Sequence, residues 1–406
     1  MIEALYLHIP FCVKRCAYCD FPTRACSDEA LMDAYADALS LVVRRAARAG
    51  LLGGVKTIYL GGGTPSHLGA RRLNSLVYLV SLSVNLEQVG EFTVECNPES
   101  LTERMVKDLF ALGVDRFSIG AQSFDDAVLG AYERVHTAAR VDEAVAYVRQ
   151  RTDNFSLDLI CGGPNQSMAS WKASVEHAIG LGARHVSIYP LMLEEGTPLA
   201  AAVDAGELPA PDEDVQADMM LAAERLLEDA GLHRYEVASY AYPGYESKHN
   251  TAYWTGVEYL GLGAGASSML SPESYAACRE AGLIGAAHVL DGAGPADVPA
   301  SCARVRATAD FDIEGFAVSA GRMQAGIECL DAREALLEDA MLGMRRSAGL
   351  SDAFVARVAA AEPRISHVLA RLEDEGLVEH GQKRWRPTRR GWLLGNEVFG
   401  AIWGLA

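Results

Sequence analysis

Leu5-Tyr6-Leu7-His8-Ile9-Pro10-Phe11-Cys12-Val13-Lys14-Arg15-Cys16-Ala17-Tyr18-Cys19-Asp20-Phe21 is an apolar, strand-like run that ends in three thiols with no fourth. The spacing C-x3-C-x2-C puts Cys12, Cys16 and Cys19 on one short loop, close enough to converge on a single inorganic centre. Structural zinc takes four tetrahedral ligands, usually as two separated pairs, and no second Cys or His pair at finger spacing follows downstream. A [4Fe–4S] cluster normally takes four thiolates, so three leave one iron open to a small molecule. Three unrelated core cysteines are the alternative, since free Cys is often buried. Their clustering within eight positions weighs against it.

Working outward, residues 1–235 alternate apolar, β-branched runs with amphipathic segments, the pattern of a parallel sheet covered by helices. Strands read at Ala4–His8, Val55–Leu60, Glu91–Cys96, Arg116–Gln122, Phe155–Ile160 and His185–Leu191. Helices read at 28–48, 71–82, 101–111, 139–150, 169–181 and 212–230. Six such units predict an α/β fold with a partial (β/α)6 barrel rather than a closed eight-unit one. Sites in parallel α/β folds gather at the carboxyl ends of the strands. The unusual residues fall there. Gly61-Gly62-Gly63-Thr64-Pro65-Ser66 follows the second strand, Glu95 ends the third, Gln122 ends the fourth, and Asp158 lies near the end of the fifth.

Half of the 406 residues are hydrophobic and 22% are charged, a globular balance. The net charge of −18, from 36 basic and 54 acidic side chains, argues against a general polyanion binder. No apolar run is long enough to cross a bilayer and no secretory signal opens the chain, so nine cysteines are expected to stay reduced in a cytoplasmic protein.

The cysteine stretch, with Tyr18 just before the last thiol, resembles the signature of the radical S-adenosylmethionine (SAM) superfamily. That resemblance implies that the open iron chelates the amino and carboxylate groups of SAM, and that an electron from the cluster can cleave the sulfonium. It also implies that Gly61, Gly62, Gly63 and Thr64 form the segment facing the SAM amino group. In the coproporphyrinogen oxidase branch, positions matching Tyr6, Glu95, Gln122, Arg134 and Asp158 line the SAM site. One loop departs from the pattern: Cys161-Gly162-Gly163-Pro164 stands where an aromatic followed by glycine and leucine is usual. Cys161 itself reads as a small buried hydrophobe.

From 236 the character changes. Tyr235–Tyr240 reads as a strand leading through Pro243-Gly244 into Lys248-His249-Asn250-Thr251-Ala252-Tyr253-Trp254. Taken alone, this is a surface-loop histidine beside a packed tryptophan. Its H-N-x-x-Y-W pattern, followed by Tyr259–Ala266, resembles the heme chaperone family HemW, which implies that His249 binds heme, although Ser267 stands where that family commonly has another His. Residues 271–330 are poorly informative, and 236–330 as a whole reads as a connecting region. Residues 331–406 read as three helices, a hairpin of Leu377–His380 with Arg384–Arg386, and a last helix from Thr388, resembling a winged-helix module. Its basic cluster, Lys383, Arg384, Trp385, Arg386, Arg389 and Arg390, reads as a solvated wing or protein contact rather than a nucleic-acid surface on so acidic a chain.

Three functions compete. The first is a heme chaperone that holds a SAM-liganded [4Fe–4S] cluster, binds heme, and hands it to respiratory or other hemoproteins, acting through a homodimer and meeting membranes only through its partners. The second is an oxygen-independent coproporphyrinogen III oxidase. The third is a winged-helix regulator sensing iron or redox state. Coproporphyrinogen dehydrogenases of this superfamily carry a further Cys two residues after the third ligand; this chain has Phe21 there, and Cys26 lies too far on to replace it. Together with the H-N-x-x-Y-W segment, Phe21 favours the chaperone.

Overall fold

The structure, a computed structural model, describes residues 1–290 and 296–406, so five residues of the 236–330 region lie outside the described ones. Its centre is a row of six parallel strands: β1 (Ala4–Ile9), β2 (Thr57–Gly62), β3 (Glu91–Cys96), β4 (Arg116–Gln122), β5 (Phe155–Cys161) and β6 (His185–Pro190), side by side in chain order. The intervening helices are α1 (Glu29–Arg48), α2 (Ala70–Ser83), α3 (Glu103–Ala111), α4 (Ala138–Arg149), α5 (Met168–Gly180) and α6 (Glu213–Asp229). Each lies within two residues of its sequence reading.

The period-2 pattern of these strands sorts apolar from polar side chains, since successive residues face opposite sides of a sheet. Leu5, Leu7, Ile58, Leu60, Phe92, Val94, Phe117, Ile119, Leu157 and Leu159 are buried in one core with the helices. The residues between them, Tyr6, Tyr59, Glu95, Ser118 and Asp158, face the other way and fill the barrel with polar groups. Helix α1 shows how a covering helix is fixed. Asp28 caps it by accepting from the Ala30 and Leu31 N–H groups, and Met32, Tyr35, Leu39, Val42, Val43 and Ala46 form its buried stripe. Losing such a cap costs about 1 kcal/mol.

The barrel stays open because both edges continue into further strands. Beyond β6 comes antiparallel β7 (Ser239–Ala241). The run Tyr235–Tyr240, which reads as one strand, is mostly a reversal: His233–Arg234 pairs back onto Ser239–Ala241, with Arg234 opposite Tyr240. The Arg234 guanidinium donates to the Val237 carbonyl and Glu236 accepts from the Ala238 N–H, which hold the reversal. After it comes helix α7 (Lys248–Trp254), so the segment that reads as a loop is helical. On the other side, β8 (Tyr259–Leu262) runs parallel to β1. Strands β9 (Ser267–Leu270), β10 (Ile284–Val289), β11 (Arg304–Ala309) and β12 (Met323–Leu330) extend the sheet from there.

The C-terminal module has a core of its own. It comprises α8 (Ala332–Met344), α9 (Asp352–Ala361) and α10 (Arg364–Asp374), and a small sheet of β13 (Leu350–Ser351), β14 (Val378–Gly381) and β15 (Arg384–Pro387). The last helix is broken into α11 (Arg389–Leu393) and α12 (Gly395–Trp403), because Leu394 leaves the helical region at φ −103°, ψ 38°. Arg384 donates to the Ala348 and Gly349 carbonyls, Arg390 to the Glu375 carbonyl, and Arg389 to Glu224. Trp385 stacks on His380. The basic cluster is thus largely spent on its own fold.

Candidate functional site

At the carboxyl ends of β1–β5 an open cleft of about 140 Å³ is lined by Cys12, Cys16, Cys19, Gly62, Gly63, Thr64, Glu95, Gln122, Arg134 and Asp158, among others. The cysteine loop is closed on itself: Cys12 pairs with Ala25, and the Cys26 N–H donates to the Cys12 carbonyl. Cys26 packs toward the barrel core and is absent from the cleft wall.

The thiols fit a cluster better than a single ion. Among the described residues no three His, Cys, Asp or Glu side chains converge closely enough to grip one metal. A cube spreads its thiolates over separate irons, and three half-buried thiols on one cleft wall match that donor set. Burial pushes the Cys12 and Cys19 thiols up, so without an electrophile they stay protonated; bound iron would hold them as thiolates. Thr64 Oγ1 donates to Cys12 Sγ at 3.6 Å, and an Arg134 N–H donates to Cys16 Sγ at 3.2 Å.

The three glycines divide by role. A Cβ on Gly63 would meet the Phe11 carbonyl at 2.7 Å and Cys12 Sγ at 3.0 Å, so the strand end can lie against the cysteine loop only as glycine. Gly62 has φ +113°, which glycine adopts without strain. Gly61 does not reach the cleft: the space where its Cβ would be is filled by Glu95 Oε2 at 2.7 Å. The missing side chain admits the protein's own carboxylate rather than a ligand.

Glu95 accepts from the Tyr59 hydroxyl at 2.5 Å and the Gly62 N–H at 3.0 Å. Burial nevertheless pushes its carboxyl up to about 7, with nearby Asp158 adding to the rise. Asp158 accepts from Ser118 Oγ at 3.4 Å and is also pushed up by burial. Gln122 holds a left-handed backbone at φ 64°, at a register shift between β4 and β5, the kind of local strain that concentrates at functional sites. Arg134 donates to Asn97 Oδ1 at 2.9 Å and the Gly120 carbonyl at 3.1 Å, leaving its buried Nε without a partner. Asn97 belongs to no motif in the sequence. Its amide donates to Thr64 Oγ1 at 2.8 Å while its oxygen receives Arg134, tying the glycine segment to the arginine.

Tyr6 stands behind the cleft wall, stacked on Tyr59 at 6.2 Å with its hydroxyl 2.9 Å from His8 Nδ1. His249 is far from its expected place. It is fully buried, with Nδ1 2.9 Å from Thr57 Oγ1 and Nε2 2.9 Å from the Tyr253 hydroxyl. Both ring nitrogens are hydrogen-bonded and the ring is buried away from solvent. Ser267 is exposed and hydrogen-bonds Thr308. Cys161 is buried in the core.

The profile of the Radical SAM superfamily matches residues 6–178, and that of the HemN C-terminal domain matches 330–394. The heme chaperone HemW of Bacillus subtilis (strain 168) is 32% identical over 410 residues, 99% of this chain and 100% of its own length. The heme chaperone HemW of Mycobacterium tuberculosis (strain ATCC 25618 / H37Rv) is 35% identical over 407 residues, 98% of this chain and 94% of its own. Among solved structures, the coproporphyrinogen III oxidase HemN of Escherichia coli superposes with a TM-score of 0.76 at 20% identity, covering 99% of this chain and 90% of that one; the likeness is one of fold.

Proposed function

The chain belongs to the heme chaperone HemW family of the radical SAM superfamily, and from that premise we propose that it binds a SAM-liganded [4Fe–4S] cluster and carries heme to hemoproteins. The observation that carries this reading is the full-length kinship joined to a cleft with three thiols and, at the diagnostic position, Phe21. Cys12, Cys16 and Cys19 would hold the cluster, whose open iron supplies a chelation point for SAM. Gly62, Gly63 and Thr64 line the cleft wall where the ligand would sit, and Glu95, Asp158 and Gln122 offer oxygens to its sulfonium, ribose or amino groups. Arg134 braces the Cys16 side of the cleft through Asn97 and Gly120. Tyr6 and Gly61 act from behind the wall by fixing Tyr59 and Glu95.

Residues 1–235 are read as the SAM barrel, 236–330 as its extension, and 331–406 as a winged-helix-like module. No helix among the described residues is long and apolar enough to cross a membrane, and a cytoplasmic location is part of the proposal. So are a respiratory recipient and a homodimer.

The test is anaerobic heme titration followed by transfer to an apo-hemoprotein. A Soret band that moves from chaperone to acceptor is expected. Heme that is neither bound nor transferred, or protoporphyrinogen formed from coproporphyrinogen with SAM and a reductant, overturns the reading in favour of the oxidase. Salt-dependent DNA binding would favour the regulator.

A further inference from the structure

The H-N-x-x-Y-W segment lies at the opposite end of the barrel from the cysteines. Thr57 and Glu91 are the first residues of β2 and β3, whereas Gly62 and Cys96 are the last. Helix α7 is pinned to that lower end. Glu91 accepts from Ser247 Oγ at 3.0 Å, the Lys248 N–H at 2.6 Å and the His249 N–H at 3.2 Å. Three donors on one buried carboxylate leave the helix start no freedom to turn. Its other end is held by the C-terminal module, where the Arg345 guanidinium lies 5.3 Å from the Trp254 ring.

From this anchored helix the His249 ring projects into the barrel. It lies nearly parallel to Tyr59, centroids 5.0 Å apart at 22°, while Tyr253 meets it edge-on at 4.9 Å and 80°. Tyr6, the register partner of Tyr59 on β1, also stacks on it at 6.2 Å and 27°. Tyr59 therefore packs against both Tyr6 and His249, and its hydroxyl donates to Glu95 Oε1. A plain aromatic ring would fill the same space, but histidine adds two hydrogen bonds that fix its angle. The hydroxyls of Thr57 and Tyr253 each donate or accept as the tautomer requires.

We infer that His249 is a positioning residue: clamped by Thr57 and Tyr253, it seats Tyr59 against Glu95 and so sets the carboxylate of the SAM cleft from the far end of the barrel. The inference rests on the reading that Glu95 faces SAM. It assigns the histidine of the H-N-x-x-Y-W segment to the SAM site rather than to heme iron. Iron ligation by Nε2 would require displacing Tyr253 and withdrawing α7 from Glu91.

The experiment is SAM titration calorimetry on anaerobically reconstituted protein, with iron and sulfide content measured in each sample. His249→Ala is expected to weaken SAM binding about tenfold at unchanged cluster content, and His249→Phe, which restores the stack but neither hydrogen bond, to recover only part of that loss. Tyr59→Phe combined with His249→Ala is expected to lose no more than Tyr59→Phe alone, because both act through one hydrogen bond. Thr57→Val and Tyr253→Phe, which spare the ring itself, are expected to cost about twofold to fivefold each. Additive losses, or full SAM affinity in His249→Ala, overturn the inference, as does a heme Soret band abolished in His249→Phe with SAM binding intact. Absence of SAM binding in the wild-type protein would overturn the reading of the cleft and this inference with it. Normal wild-type binding isolates the fate of His249.

Discussion

Glu95 is a buried carboxyl whose protonation is set by its surroundings. Burial, reinforced by Asp158, pushes its carboxyl up to about 7 despite the donors from Tyr59 and Gly62. Below that pH the group is neutral and a poor partner for a cationic sulfonium; above it the anion is formed. SAM affinity is therefore expected to rise as pH passes upward through 7, with a proton released on binding below it, measurable as a dependence of binding enthalpy on buffer ionisation. Glu95→Gln should bind more weakly at pH 8 and lose the pH slope. The thiols allow a second check: Cys12→Ala, Cys16→Ala and Cys19→Ala are each expected to lose the cluster by iron and sulfide assay, and Cys26→Ala to keep it. Most residues of this cleft were legible in the sequence because they come from short local patterns at strand ends. Asn97 was not. Its role requires reaching Thr64 and Arg134 at once, and those belong to different βα units.

Helix α7 makes the same point for an element. Composition assigns 248–254 to a surface loop, because Lys248, His249 and Asn250 are polar. The Glu91 carboxylate receives three donors from its start and draws it inside instead. Burial lowers the His249 pKa to about 3, with Arg116 contributing, against an ordinary value of 6.5. The unfolded chain thus binds a proton between those values that the fold rejects. Stability from this residue is complete above pH 6.5 and is lost as pH falls through that window. Denaturant titrations at pH 7.5 and pH 5 should show a wild-type decline that His249→Gln reduces, by on the order of 1–2 kcal/mol. An equal decline in both proteins would show that His249 is not held neutral.

At the scale of the whole molecule, the C-terminal module is fastened to the barrel by buried charge. Glu224 of α6 accepts from Arg234 at 3.1 Å and from Arg389 at 2.7 Å, so one carboxylate ties α11 to the barrel edge. Glu224→Gln is expected to loosen residues 388–403, seen as faster amide hydrogen exchange there, with little change around Cys12–Cys19. Removing one partner of a buried pair strands the other, which costs more than an exposed pair would. The sequence by itself determined the six βα units, the cysteine loop after the first strand and the glycine turn after the second, because each is written in local periodicity and spacing. Only the tertiary structure decided which polar side chains meet inside the barrel. It gave Gly61's space to Glu95 and placed His249 beneath Tyr59 rather than in solvent. It also carried the strands of 259–330 onto the free edge of β1. The physical reason is the same in each case: burial and hydrogen-bond pairing are settled between segments far apart in the chain, and a polar residue's own sequence does not say whether a partner waits for it inside.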